Sequence, residues 1–372
     1  MMSDQEFIFA PPSVQVDFEI VPLDNNFNSL YILFQADELS GFGEWTYRTY
    51  EAMSEERRHK HSVVFEVLNK GFDDECGAKT FPEYMTLAKA CDPQAFRNQI
   101  GEHVLKMAQE MGDGQYAFNL EETLATKDNF MKTMRDGLGA KFSHKGYDAA
   151  AMYPLFEDAY DLLAENPAQA IEYAVDHMHY MWTNYLRDEW KRVEPMLQEA
   201  VEAFNQVDFV GKTATEIFQT VTGRRDLTAV WPHLEESKHL VFMPSAHIGP
   251  YVSTYMRDNK TYIVFGARMP EGVRAKSAAL SRSELLIRIN ALADNTRLAI
   301  LELLTRHDEL FAQDIMQMLD LSQSSASRHL RQLTATGFLV ERRQDVAKCY
   351  SLGMERVEDT LNALKLFFGG QI

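Results

Sequence analysis

The sequence predicts a mainly α-helical, multidomain protein, in which a helical N-terminal region with a small antiparallel β element precedes a C-terminal domain of short helices and a hairpin. Three observations support this fold class. A chain of 372 residues is longer than one hydrophobic core usually organises. Apolar residues recur at helical spacing through most of the N-terminal part. Near the C-terminus, three short helical patterns are followed by two runs rich in β-branched and aromatic residues.

The first elements are one strand and one helix. The stretch "VQVDFEIV", which begins at Val14, alternates apolar and polar residues and predicts a strand. Apolar side chains from Phe27 to Phe34 then follow the i, i+3, i+4, i+7 pattern of a helix. Asp24 precedes this pattern, and we expect it to cap the helix N-terminus.

Two later helices begin with an N-cap residue followed by proline. Asp92 stands before Pro93, and Asn166 stands before Pro167, which is the order that favours a helix start. Gly112 is expected to end the first of these helices. The second pattern is long, and Pro195 is expected to kink or split it.

A change of composition marks the small β element near residues 238–268. Two or three short antiparallel strands are predicted there, because β-branched and aromatic runs flank a polar turn at Asp258–Lys260. Residues 270–281 are small and polar and read as a linker. The expected domains are therefore a mostly helical sensing or assembly region at 1–275 and a second domain at 281–372.

The acidity of the chain is confined to its N-terminal part. The formal net charge is −18, and the first 280 residues hold 43 acidic against 26 basic side chains. Residues 281–352 hold nine of each, and 322–348 hold five basic against two acidic. A polyanion is therefore expected to bind the basic segment near the C-terminus.

Cysteine usage and hydropathy suggest a cytoplasmic protein. Three widely spaced cysteines, Cys76, Cys91 and Cys349, do not form a disulfide framework. The N-terminus lacks the basic region of a secretory signal. No window approaches the roughly 18 consecutive apolar residues of a membrane span, so no membrane partner is expected.

The C-terminal domain shows four successive helix signals. "SELLIRINALADNTRLAILELL" predicts two helices, with Asp294 as the cap of the second. "ELFAQDIMQMLD" predicts a third helix whose inward residues are Ile315, Met318 and Leu319. A tight turn at Asp320 and Leu321 then leads to Ser322, which is placed to cap a fourth helix.

The fourth helix combines a narrow buried stripe with a polar, basic face. Ala326, Leu330 and Leu333 stand at i, i+4 and i+7 and form the stripe. Gly337 ends the helix, and "FLVERRQDVAKCYSL" predicts two strands joined by a polar turn. This order is that of a winged helix-turn-helix, in which the fourth helix enters the major groove of DNA.

The predicted DNA contacts fall on this helix and on the hairpin. Small serines allow close approach, glutamine can pair with base edges, and arginines reach guanine or phosphate. The candidate residues are Ser322, Gln323, Ser324, Ser325, Ser327, Arg328, His329 and Arg331 on the helix, with Arg342, Arg343 and Lys348 on the hairpin.

Three separated segments, "ALADNTRLAILELL", "LSQSSASRHLRQL" and "TGFLVERR", resemble the ArsR-type winged helix regulators. The resemblance implies a homodimeric bacterial repressor that leaves its operator DNA on binding an effector. It also implies dimerisation through the first and last helices of the domain. The last helix carries the apolar stripe Val357, Leu361, Leu364, Phe367 and Phe368.

Metal and cofactor sites are not expected. Members of that family bind metal through cysteines on the helix before the turn or through Asp/His pairs on a terminal helix. Here those segments read "FAQDIMQML", without cysteine or histidine, and "MERVEDTLNALKLFFGG", without histidine. His177 and His179, like His59 and His61, are two residues apart, and one helix cannot offer both to one ion.

The N-terminal region offers a candidate effector pocket. Its segments "DEWKRVEPMLQEAVEAF" and "HLVFMPSAHIGPYV" are similar to the long N-terminal region of some enlarged ArsR-type regulators, which implies architecture and no chemistry. An aromatic-rich stretch either forms core or lines a pocket for a small-molecule effector. The candidate lining residues are Tyr173, His177, Tyr180 and Trp182.

The sequence thus favours a DNA-binding transcriptional regulator. It shows no phosphate-binding loop, metalloprotease motif or nucleophile signature, so no catalytic residue is assigned. Two other functions stay open: a ligand- or partner-binding protein whose winged helix contacts protein, and an enzyme with a regulatory tail.

Overall fold

A computed structural model describes residues 14–37, 39, 41–72, 77–111, 119–143, 152–224, 234–270, 278–344 and 347–368. Contacts divide the chain into two compact units. The helical unit comprises Val21–Asp37 and Trp45–Arg192, and the mixed unit comprises Met1–Ile20, Glu38–Glu44 and Val193–Ile372. Within these described ranges, no helix is both long and apolar enough to cross a membrane.

The helical unit is built from nine described α-helices and the start of a tenth. They are α1 (Pro22–Tyr31), α2 (Glu44–Ala52), α3 (Glu55–Ser62), α4 (Phe81–Lys89), α5 (Pro93–Met111), α6 (Leu120–Ala125), α7 (Lys127–Ser143), α8 (Tyr153–Glu165), α9 (Pro167–Met181) and α10 (Arg187–Phe204). Its core includes the fully buried rings of Phe65, Phe81, Phe96 and Phe130. Burial of such apolar surface is the main stabilising contribution to a helical fold of this kind.

Two of the three predicted helix caps in this unit are confirmed. The Ala168 amide donates to Asn166 Oδ1 at 3.0 Å, and the Ala95 amide donates to Asp92 Oδ1 at 2.8 Å. The Asp24 cap was wrong, because α1 begins at Pro22 and leaves Asp24 inside the first turn. Proline at the first helical position needs no amide partner and fixes φ for the helix, which accounts for the earlier start. Gly112 lies outside the described residues.

The expected split at Pro195 was wrong, because Pro195 lies inside a continuous helix. A π-helical turn at Trp182–Leu186 separates α9 from α10, and α10 continues through Pro195. Both Pro195 and Lys191, whose carbonyl loses its helical partner, are exposed to solvent. Water can therefore satisfy the carbonyl, which lowers the cost of proline inside the helix.

A four-stranded sheet forms one half of the mixed unit. Its strands are β1 (Gln15–Phe18), β2 (His239–Ser245), β3 (Val252–Arg257) and β4 (Lys260–Gly266), in the order β1-β2-β4-β3. The β3–β4 hairpin is antiparallel as predicted, and its turn residues Asp258 and Asn259 have φ of 50° and 57°. This is the positive-φ turn that suits a tight hairpin.

The other strand pairs of this sheet are parallel, so the predicted antiparallel element is the β3–β4 hairpin, which β2 joins in parallel. β2 pairs with both β1 and β4 in parallel register. The reason is that β3 returns the chain along the outer edge, so β2 and β4 run in the same direction. Helix α11 (Ala214–Thr222) and the end of α10 cover the sheet, where Phe18 stacks on Phe204 at 5.2 Å and on Phe242 at 5.4 Å.

The other half of the mixed unit is the predicted winged helix-turn-helix. Its elements are α12 (Ala278–Leu292), α13 (Asn295–Thr305), β5 (Leu310–Phe311), α14 (Ala312–Met318), α15 (Gln323–Thr336), β6 (Leu339–Gln344), β7 (Ala347–Leu352) and α16 (Met354–Phe367). The strands form an antiparallel sheet in the order β5-β7-β6. Of the predicted linker, 278–281 already belong to α12, and 271–277 lie outside the described residues.

The inward face of α14 is only partly as predicted. Ile315 is fully buried and Leu319 is half-buried, but Met318 is 50% exposed. Helix α14 has only seven residues and ends at Met318. The sequence prediction continued the helical spacing past Met318. The chain leaves the helix there, and Asp320 adopts a left-handed φ of 51°.

A buried arginine joins α12 to α13. Asp294 caps α13 as predicted, accepting from the Arg297 amide at 2.9 Å. The Arg297 side chain is 6% exposed and donates to the carbonyl oxygens of Ala291 at 2.7 Å and Asn290 at 2.6 Å. These carbonyls end α12 and would otherwise lack helical partners, so one side chain closes one helix beside the start of the next.

We expect Arg297→Ala to loosen this junction. The carbonyls of the buried Ala291 and of Asn290 would lose a charged donor, which costs roughly 1.5–3 kcal/mol per such bond. Hydrogen–deuterium exchange should accelerate at least about tenfold at the end of α12 and the start of α13. Arg306→Ala is the control, because Arg306, just past the end of α13, is 70% exposed and pairs with Glu302 one turn earlier. Equal exchange in both variants would contradict the role given to Arg297.

Candidate nucleic-acid interface

The orientation of α15 is set at its N-terminal end. The chain turns at Asp320, and the Leu321 amide donates back to the Met316 carbonyl at 2.9 Å. Ser322 then caps the helix as predicted, accepting from the Ser325 amide at 3.3 Å. Short side chains at this turn let α14 and α15 follow one another closely, as a helix-turn-helix requires.

The buried stripe of α15 is confirmed. Ala326, Leu330 and Leu333 are 1%, 3% and 0% exposed, and the two leucines pack in a cluster with Ile315 and Phe338. Burial of this stripe fixes the rotation of the helix about its own axis. The opposite face is therefore the one available to a partner.

Most of the predicted contact residues lie on that opposite face. Ser322, Gln323, Ser324 and Arg328 are exposed, and Ser325, Ser327 and Arg331 are half-buried. Ser322 Oγ and Ser324 Oγ are 3.2 Å apart at the start of the helix. The first-turn amides and the helix dipole favour an anion at this end.

His329 lies on the inner side of α15, against the expectation of a phosphate contact. It is 5% exposed, and its Nδ1 lies 3.6 Å from Asp294 Oδ1. Burial lowers the pKa of His329, although Asp294 acts in the opposite direction. Position 329 lies three residues after Ala326, which places it beside the buried stripe. The face that α15 offers to solvent therefore excludes His329.

The hairpin places two predicted cations in ion pairs. The Arg342 guanidinium donates to both carboxylate oxygens of Glu309, and this contact lowers the pKa of Glu309. Lys348 Nζ lies 2.8 Å from Glu341 Oε1. Arg343 pairs with Lys348 in the β6–β7 register, and its side chain lies outside the described residues.

The four candidate effector residues occupy different environments in the helical unit. His177 is fully buried, whereas Tyr173, Tyr180 and Trp182 are half-buried. Lys60 Nζ lies 3.7 Å from the Tyr173 ring centroid, and the Arg57 guanidinium lies 3.9 Å from that of Tyr180. Two of the three aromatic rings are thus covered by cations of the same unit.

A buried histidine pair joins α3 to α9. His61 Nε2 lies 2.8 Å from the Leu30 carbonyl, and His61 Nδ1 lies 3.0 Å from His177 Nε2. The carbonyl can only accept, so His61 donates from Nε2 and accepts at Nδ1 from His177. Among the described residues, no three His, Cys, Asp or Glu side chains gather as metal ligands.

The sequence contains no sign of this pair. It did indicate that two histidines two residues apart on one helix point in different directions. His177 is buried while His179 is exposed, and His61 is buried while His59 is exposed. The contact joins residues 116 positions apart, and no local pattern indicates it. Both rings stay neutral, because burial lowers the pKa of His61 to about 4 and that of His177 as well.

The pair predicts acid sensitivity of the helical unit. Between pH 6.5 and about 4 the unfolded chain binds a proton at His61 that the folded chain does not. The free energy of unfolding should therefore fall as the pH drops through this window, by on the order of 3 kcal/mol. Urea denaturation followed by the fluorescence of Trp45, Trp182 and Trp190 measures it.

The variant His61→Gln retains a donor for Leu30 and does not titrate, so its stability should depend less on pH. The control His179→Gln changes an exposed ring and should keep the wild-type profile. A wild-type profile in His61→Gln would refute the assignment of the acid sensitivity to this pair.

Comparison with known proteins bears on the winged helix. Residues 294–340 match the family model described as bacterial regulatory protein, arsR family. The matched segment runs from Asp294, the cap of α13, through α14 and α15 into β6. No curated protein matches the chain. The C-terminal part of the chain therefore carries an ArsR-family helix-turn-helix domain, which a long N-terminal region precedes. Such a domain indicates a DNA-binding transcription regulator.

Proposed function

We propose that this chain is a homodimeric transcriptional repressor that binds operator DNA through α15 and the β6–β7 hairpin, and that a small-molecule effector modulates its affinity. The observation that carries the proposal is the outward face of α15. It combines an anion-favouring helix start with two arginines, and it lies within the segment that matches the arsR family. The N-terminal region supplies no assigned catalytic residue.

The shape and chemistry of α15 suit a major groove. The groove is about 12 Å wide and admits one helix. The small side chains of Ser322 and Ser324 permit close approach at the N-terminal end, and Gln323 can bind a base edge in bidentate fashion. Arg328, one turn further, can reach guanine or a backbone phosphate.

The hairpin contributes to DNA binding more weakly in this proposal. Arg342 and Lys348 are held by Glu309 and Glu341, so a phosphate would replace an existing carboxylate partner. Exposed ion pairs contribute only about 0–1 kcal/mol, and such an exchange is feasible. The net gain in free energy from such an exchange is small, so the hairpin should contribute less to DNA binding than the outward face of α15.

Replacing Arg328 or Arg331 with alanine should weaken operator binding by about 1–3 kcal/mol each. Removal of a cation that contacts phosphate should also reduce the salt dependence of binding, by about one unit of slope. Fluorescence anisotropy with a duplex from the upstream region of the chain's own operon, titrated at several salt concentrations, measures both quantities.

Lys89→Ala is the matched control, because it removes one exposed positive charge from the helical unit. It should leave the affinity and the salt slope unchanged. Undiminished DNA binding in the Arg328→Ala, Arg331→Ala double variant would refute the assignment of α15 as the recognition helix. Absence of salt-dependent DNA binding in the wild type would favour the alternative of a partner-binding winged helix.

Dimerisation is proposed through α12 and α16. Leu361 is 53% exposed on α16, and Phe367 and Phe368 at its end are 46% and 63% exposed. On α12, which contacts α16, Leu286 is 40% exposed. A self-complementary apolar surface of this kind is what a twofold dimer would bury, and a dimer would read two half-sites about one DNA turn apart.

Leu361→Glu should convert the dimer to monomers by placing a charge on each side of the interface. Native mass spectrometry and light scattering report the mass. Leu87→Glu is the control, because Leu87 is 45% exposed in the helical unit. If Leu361→Glu keeps the wild-type dimer mass, the dimer does not use α16.

A further inference from the structure

A cavity of about 260 Å³ lies where the end of α15, the strand β6 and the start of α16 meet. Two glycines permit this close approach of the backbone. Gly337 ends α15 with a φ of 83°, and a Cβ placed on Gly353 would overlap the Gly337 carbonyl oxygen. An apolar cavity of about 150 Å³ is large enough to bind benzene, so this space can hold a chain of about six carbon atoms.

One buried hydroxyl in the lining lacks a hydrogen-bond partner. Thr334, in the last turn of α15, is 4% exposed, and its Oγ1 has no partner in the part of the chain that the structure describes. Thr336 is 6% exposed, but its Oγ1 donates to the Gln332 carbonyl at 2.8 Å. A buried hydroxyl without a partner is unfavourable, and a polar group of a bound ligand would relieve this cost.

The charges around the cavity favour a cation. Glu355 lies in the first turn of α16, where it offsets the positive end of that helix dipole. Asp359, one turn later, adds a second carboxylate to the lining, and Arg356 adds one cation. Arg356 already donates to the Gly223 carbonyl at 2.9 Å. Against this one cation stand Asp359 and the negative ends of the α11 and α15 dipoles, so the potential in the cavity is negative.

The rest of the lining is mostly apolar. Leu339 and Val340 of β6, Leu352 of β7 and Met354 at the start of α16 contribute to it. Leu339 is 2% exposed, whereas Met354 is 56% exposed, so the apolar wall extends from the core to the surface. A cavity that combines an apolar wall with a few polar groups is the usual composition of a small-molecule site.

We propose that this cavity binds a small aliphatic amine. The Asp359 carboxylate and the Thr334 hydroxyl hold its ammonium group, and the hydrocarbon chain packs on Leu339 and Leu352. An ammonium group only donates hydrogen bonds, and both a carboxylate and a hydroxyl oxygen can accept them. Each methylene group that the wall removes from water adds to the affinity.

The bound amine would contact both elements that are proposed to bind DNA, and this consequence rests on the proposed function. It would lie against the end of α15 and against β6, the first strand of the hairpin. Occupancy of the cavity would change how α15 packs against the hairpin. The amine and the operator would then influence each other's affinity, and this coupling must be reciprocal.

The chemistry of the ligand is tested on the full-length protein without DNA. Hexylamine, hexanol and hexanoate share one chain length and carry a positive, a neutral and a negative group at neutral pH. In isothermal calorimetry at constant ionic strength, hexylamine should bind saturably with a dissociation constant of about 1 mM or tighter. Hexanol should bind at least about threefold more weakly, because it lacks the charge that Asp359 attracts.

Three outcomes would overturn the amine site. They are a lack of saturable hexylamine binding, equal affinities for hexylamine and hexanol, and tighter binding of hexanoate than of hexylamine.

Asp359→Asn should weaken hexylamine binding about threefold or more and leave hexanol binding unchanged. Glu358→Gln is the matched control, because Glu358 is the exposed neighbour of Asp359 on α16 and does not line the cavity. It should bind hexylamine like the wild type. Equal hexylamine affinities in the two variants would refute the role of Asp359.

Thr334→Val removes the hydroxyl and keeps the shape of the side chain. Without a ligand this variant should unfold at a higher urea concentration than the wild type, because a buried polar group without a partner is lost. It should also bind hexylamine about threefold or more weakly.

Thr336→Val is the matched control on the same helix. It removes a hydroxyl that has a partner, so it should unfold at a lower urea concentration and bind hexylamine like the wild type. If Thr334→Val is destabilised as much as Thr336→Val, the Thr334 hydroxyl is already satisfied and the role given to it is wrong.

Coupling is measured last, with operator DNA at constant ionic strength. Saturating hexylamine should change the operator affinity of the wild type at least about fivefold. The hexylamine concentration that gives half of this change should be at least about tenfold higher in the Thr334→Val, Asp359→Asn double variant.

The two proposals fail separately. Hexylamine binding without any operator binding would leave the site intact and reject the proposed function. Operator binding without hexylamine binding would do the reverse. An operator affinity that bound hexylamine does not change would refute the effector role of the site.

Discussion

The winged helix depends on a cluster of polar side chains around the buried Arg297, at the junction of α12, α13 and α15. Asp294 caps α13, Arg297 closes the end of α12, and His329 of α15 lies 3.6 Å from the same carboxylate. An arginine withdrawn from water, such as Arg297, must be paired and hydrogen-bonded, since an isolated buried charge is strongly unfavourable. This requirement fixes the three helices relative to one another, which apolar packing alone specifies less sharply.

The functional face of α15 follows from that constraint. With Leu330 and Leu333 buried and His329 held beside Asp294, the helix has one rotation available. Gln323, Ser324 and Arg328 are then directed to solvent without having to be anchored themselves. In such a helix, the buried side chains fix its position and the exposed side chains are available to contact a partner.

The four-stranded sheet belongs to the same compact unit as the winged helix. β1 pairs with β2, α11 covers the sheet, and Gly223 at the end of α11 accepts a hydrogen bond from Arg356 of α16. Helix α11, which covers the sheet, is therefore hydrogen-bonded to α16 of the winged helix.

The sequence by itself determined the local features: the caps Asp92, Asn166, Asp294 and Ser322, the buried stripe of α15, the β3–β4 turn, and the winged helix order that the arsR match supports. These depend on interactions within a few residues, so spacing and residue type suffice to specify them. The tertiary structure decided the rest: the parallel β1–β2 and β2–β4 pairs, the His61–His177 contact, the inward position of His329, and the hydrogen bond from Arg356 to Gly223. Each joins residues far apart in the chain, and only the packing of whole elements brings such residues together.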